Sequence, residues 1–65
     1  MPSPKFEAIR QVRKQKGLSQ EKLAELAKVD AKTIVQIESG KRNPTLKSLQ
    51  KIAKALDVNL KDLIP

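Results

Sequence analysis

Cysteine is absent from this 65-residue chain, so neither a disulfide nor a thiolate metal site braces the fold. Histidine is absent as well, which removes the commonest general base and metal ligand. Together the two absences argue against an enzyme: no catalytic residue, metal site or cofactor is expected. No apolar run in the sequence approaches the roughly 18 residues that a membrane-spanning helix needs. Met1-Pro2-Ser3-Pro4-Lys5 lacks the apolar stretch of a signal peptide. Asn43-Pro44-Thr45 has the outline of a glycosylation sequon, and the intervening proline disqualifies it. The chain therefore reads as cytoplasmic, with no membrane partner. A chain this short buries only about 60% of the surface that its unfolded form exposes, so a deep substrate cavity is out of proportion to it.

What the chain does have is positive charge. Fourteen Lys and Arg against seven Asp and Glu leave a formal +7. Such an excess points to a polyanionic partner, nucleic acid ahead of an anionic membrane surface; the plainer reading is that it only keeps a small protein soluble. Strand signals are missing: there is no sustained alternation of apolar and polar residues and no Asn-Gly or Asp-Gly hairpin. Pro2 and Pro4 mark residues 1–4 as a flexible N-terminal arm, and residues 5–65 read as a single all-α domain of five short helices.

Punctuation sets the helices apart. Phe6, Ile9, Val12 and Arg13 recur at helical spacing, and Gly17 followed by Leu18 suits the left-handed position just past a helix end. Ser19 reads as the N-cap of a second helix with the stripe Leu23, Ala24 and Ala27. Asp30 caps a third, on which Ile34, Ile37 and Glu38 share a side before Gly40 closes it. Lys41-Arg42-Asn43-Pro44 is a basic loop. Thr45 caps a fourth helix carrying Leu46, Leu49, Ile52, Ala53 and Leu56, and Asn59 begins a last turn or two with Leu60, Leu63 and Ile64. Val58, Leu60, Leu63 and Ile64 exceed what so short a fifth helix buries inward. They are candidates for contact with a second copy of the chain, unless most of them cap the core.

The informative stretch runs from Gln20 to Ile37. Only Lys28 and Val29 separate its two helices, too few for an antiparallel hairpin, so the helices cross steeply and a small residue such as Ala24 suits the crossing. This is the helix-turn-helix pattern, whose second helix enters the DNA major groove. At 100° per residue, Ile34, Ile37 and Glu38 lie on one side of that helix, with Lys32, Val35 and Gln36 opposite and Ala31 at the edge. Lys and Gln on an outward face are ordinary; an exposed β-branched Val35 is less so, and facing DNA it suits a thymine methyl.

Arg13-Lys14-Gln15-Lys16-Gly17-Leu18-Ser19-Gln20, Leu23-Ala24, Ile34, Ile37-Glu38, Gly40-Lys41-Arg42-Asn43-Pro44 and Leu49-Ile52-Ala53-Leu56 together resemble the phage Cro/repressor-type, or Xre-like, helix-turn-helix family, from about Ile9 to Ile64. The resemblance implies a lambda-repressor-like DNA-binding domain and a set of roles. Ala31, Lys32 and Gln36 fall where the family reads bases, and Val35 joins them by its place on the same face. Gln20, Thr33, Lys41, Arg42 and Asn43 fall where the DNA backbone is held, Gln20 also bracing the recognition helix. Arg13 and Glu38 match a largely buried salt bridge between the first and third helices. Three positions depart from the pattern: Lys28 stands for a usual Gly, Asp30 for a common Ser, and Val35 for a usually polar residue.

The function so implied is a transcriptional regulator, in the repressor sense, binding double-stranded DNA as a homodimer on a (pseudo)palindromic operator. The alternative is an antitoxin or bridging-factor-like module that uses the same fold to dock a protein.

Overall fold

The computed structural model describes residues 6–64, so the arm expected over residues 1–4 lies outside the described residues. Four α-helices follow one another: α1 (Glu7–Gln15), α2 (Gln20–Ala27), α3 (Ala31–Glu38) and α4 (Leu46–Leu56). A single 3-10 turn, Leu60–Asp62, comes after them, and no strand occurs among the described residues.

Three of the four helices start at a side-chain cap, α1 being entered at Phe6 without one, and all four stop for a local reason. Ser19, Asp30 and Thr45 hold extended backbone ahead of α2, α3 and α4, and their side chains accept from the amides of Lys22, Lys32 and Ser48. That satisfies donors which have no partner inside the helix. All four helices end in the same way. The amides of Leu18, Val29, Lys41 and Val58 donate to the carbonyls of Arg13, Ala24, Gln36 and Ala53, each five residues back, which is the Schellman closure. The residue before each of these amides is left-handed: Gly17, Lys28, Gly40 and Asp57. Leu18, Val29 and Val58 then pack against the core. After α3 the corresponding residue is the exposed Lys41, so here the chain leaves the helix as a polar loop.

Ile9, Leu23, Ile34, Ile37, Ile52, Leu56 and Leu63 are fully buried. Burying each such side chain contributes roughly 1.5–3 kcal/mol. α2 is central, packed on both α3 and α4, while α1 closes against α3 and α4. Ala24, Ala27 and Ala53 are buried with the larger residues; their small volume lets the helix backbones approach.

Two expectations need correction. The fifth helix is only the 3-10 turn, closed by hydrogen bonds from Asp62 to Asn59 and from Leu63 to Leu60. Leu60 and Leu63 are three residues apart, and three residues per 3-10 turn bring both to the same side: Leu63 is fully buried and Leu60 packs against the core. With Val58 also packed inward, only Ile64 of that apolar group is exposed, at 48%. The group therefore caps the core, and its size is no argument for a dimer surface. Leu46 departs in the other direction. It is the first residue of α4 and 61% exposed, and the buried stripe starts at Leu49. Among the described residues no helix is long and apolar enough to cross a membrane.

Candidate nucleic-acid interface

α3 is divided lengthwise. Ile34, Ile37 and Glu38 are buried. Lys32 is exposed, Val35 is 45% exposed and Gln36 is partly buried, so the structure leaves three of the four expected base-reading side chains reaching outward on one helix. Ala31 is different: it is partly buried and packs against the core, presenting only part of its methyl to the outside. Thr33 is partly buried beside this face. Asp30, whose carboxylate accepts from the amide of Lys32 at 2.9 Å, puts a negative charge at the start of an otherwise basic surface.

What fixes the orientation of α3 is polar. Arg13 donates from Nε to Glu38 Oε2 at 2.7 Å and from Nη2 to Glu38 Oε1 at 3.0 Å, with both residues buried. The planar guanidinium matches the carboxylate in two parallel bonds. Its remaining nitrogen, Nη1, donates to the carbonyl of Leu18 at 2.7 Å and so ties down the connection between α1 and α2. Gln20 Nε2 donates to Glu38 Oε1 at 3.1 Å. The first residue of α2 is thus linked to the last residue of α3, and no buried side-chain nitrogen or oxygen among the described residues lacks a partner. One carboxylate at the end of α3 is gripped from α1 and α2 together, so the outward face keeps one direction relative to the rest of the domain.

The loop after α3 supplies Lys41, Arg42 and Asn43, all exposed. The backbone amide of Lys41 donates to the Gln36 carbonyl at 3.0 Å, so the loop starts directly from the end of α3. Arg42 folds back over the helix face: Nη1 lies 3.5 Å from both Thr33 Oγ1 and Gln36 Oε1, long contacts for hydrogen bonds. The structure therefore brings together Arg42, assigned from sequence to the DNA backbone, with Gln36, assigned to the bases. No periodicity signals such a contact, because it joins a loop to a helix surface. Lys28, exposed in the turn before α3, lies instead beside Leu26, Lys51, Lys54 and Ala55 of α2 and α4.

A helix-turn-helix family profile matches residues 9–63. An uncharacterized HTH-type transcriptional regulator of Archaeoglobus fulgidus is 42% identical over 55 residues, covering 85% of this chain and 79% of that protein. The control protein C.BamHI of Bacillus amyloliquefaciens is 46% identical over 57 residues, covering 86% and 70%. Among solved structures, the restriction-modification controller protein C.AhdI of Aeromonas hydrophila superposes with a TM-score of 0.90 at 40% identity, over 94% of each chain.

Proposed function

The chain belongs to the helix-turn-helix family, and from that membership we propose that it regulates transcription by binding specific double-stranded DNA, with α3 in the major groove. The observation that carries this reading is the outward face of α3. Lys32, Val35 and Gln36 project from a helix whose opposite side is locked by Arg13, Gln20 and Glu38. A reading helix needs this, since base contacts discriminate only when the side chains are held in register with the groove. Lys41 and Asn43 hold phosphates on the flanking backbone. The curated relatives that are called transcriptional regulators, and the controller proteins of similar fold, support the same reading.

One recognition helix spans only a few base pairs. Two copies on half-sites about 34 Å apart supply the specificity that one lacks. Repression follows if such a site overlaps a promoter.

The test begins with a random-oligonucleotide selection, followed by binding isotherms on the selected and scrambled duplexes across a salt series and by footprinting. Gln36→Ala is expected to weaken the selected site and leave scrambled DNA nearly unaffected. Lys41→Ala is expected to weaken both by similar factors and to lower the salt slope by about one unit. Protection of two half-sites is expected. Affinity set by charge alone, with no preference between duplexes, would instead describe a module that docks a protein.

A further inference from the structure

Arg42 has a place in the site that neither its charge nor its loop position explains. Its Nη1 reaches Thr33 Oγ1 and Gln36 Oε1 equally, at 3.5 Å. Thr33 and Gln36 are three residues apart and so neighbours on one helix face. Its Nε and Nη2 have no protein partner among the described residues, and Arg42 joins no ion pair among them.

We infer that Arg42 is a positioning residue for sequence reading: it fixes the side-chain amide of Gln36 by holding Oε1, and thereby sets which base Gln36 prefers. The inference rests on the proposal that α3 reads bases. An unrestrained Gln amide turns freely about its terminal torsion, which is broad and roughly two-fold. It can place oxygen and nitrogen against adenine N6 and N7, or swing its nitrogen onto the O6 or N7 acceptors of guanine. A guanidinium already 3.5 Å from Oε1 that closes to bonding distance when DNA is bound removes that choice. One lone pair of the oxygen is engaged from the loop side, the other lone pair remains open, and Nε2 is committed as the donating end. The amide then presents one pattern of donor and acceptor. Nε and Nη2 of Arg42 stay available for a phosphate oxygen, so one guanidinium couples the position of the DNA backbone to the reading of a base.

The experiment uses the full chain and the site selected by the wild-type protein. At the position where Gln36→Ala loses its preference, binding is measured on duplexes carrying each of the four base pairs. Wild type is expected to favour one of them by roughly 5- to 150-fold, the range of a good bidentate contact. Arg42→Met keeps much of the stem and removes every donor. It is expected to bring that preference close to the level of Gln36→Ala, and the double variant is expected to lose no more. Arg42→Lys, a compact cation without the planar fork, is expected to recover overall affinity for DNA without recovering the preference. Arg42 is exposed, so these variants keep the fold. If Arg42→Met weakens all four duplexes by one factor and leaves the preference intact, Arg42 only holds phosphate and the inference is overturned. If Gln36→Ala changes the preference at no position while wild type still selects a site, the assignment of Gln36 as a base reader fails, and the inference with it.

Discussion

At the scale of single residues, the left-handed helix ends set the clearest energetic differences. Lys28 and Asp57 both sit at φ 58, where a side chain meets the backbone and costs roughly 1–2 kcal/mol relative to the right-handed region. Glycine avoids that cost, while Asp tolerates the conformation better than Lys because its short polar side chain bonds locally. Lys28→Gly is expected to stabilise the domain by about 1 kcal/mol, and Asp57→Gly by less. Gly17 supplies the converse. A Cβ added there meets nothing within 4 Å, so Gly17→Ala is expected to lose about 1 kcal/mol through the backbone alone. For a domain of this size, 1 kcal/mol moves Tm by roughly 4–8 °C, and thermal melts of the three variants check the order. A Lys28→Gly protein that melts no higher would mean that the lysine stem packs usefully in the turn.

At the scale of elements, α3 serves both stability and binding, and its cap is where the two conflict. Asp30 closes the N-terminus of the helix with a hydrogen bond to Lys32, yet its charge opposes an approaching phosphate. Serine caps about as well as aspartate without the charge. Asp30→Ser is therefore expected to leave stability within about 0.5 kcal/mol and to tighten DNA binding, whereas Asp30→Ala is expected to lose about 1 kcal/mol of stability. Thermal melts paired with DNA titration at low salt separate the two effects. Unchanged affinity in Asp30→Ser would place the start of α3 away from the DNA backbone.

At the scale of the whole molecule, the Arg13–Glu38–Gln20 network joins the three N-terminal helices through one buried carboxylate. Arg13→Met leaves Glu38 buried with only Gln20 as a partner, and is expected to destabilise by about 3 kcal/mol or more. Against a total stability of about 5–15 kcal/mol for a typical domain, that is a large share. Adding Glu38→Leu removes the stranded charge and is expected to recover much of the loss. Recovery stays incomplete because the Leu18 carbonyl and the Gln20 amide lose their partners. Urea midpoints of the single and double variants test this. A single variant that unfolds at the wild-type midpoint would show that the pair contributes nothing to the packing of α1 on α3.

Helix starts, helix stops and the buried stripe of α3 were legible in the sequence, because each depends on residues within a turn or two of one another. Ser19, Asp30 and Thr45 cap through amides two or three residues on, and Gly17 and Gly40 close helices through bonds spanning five residues. The all-helical class and the helix-turn-helix follow from these local facts. Asp57 escaped notice because a left-handed aspartate resembles any polar residue after a helix. Other features only packing decided. Val58, Leu60 and Leu63 read as a surplus, yet they turn inward since a 3-10 turn, not a helix, carries them over the core. Leu46 reads as core and is exposed, because as the first residue of α4 it stands ahead of the buried stripe that begins at Leu49. Arg13 and Glu38 stand 25 positions apart, and family resemblance, not spacing, suggested their pairing. Arg42 carries the same charge as every lysine in the chain. What distinguishes it is the path of the loop after α3, which lays its guanidinium across Thr33 and Gln36, and a path through space has no signature in the order of the residues.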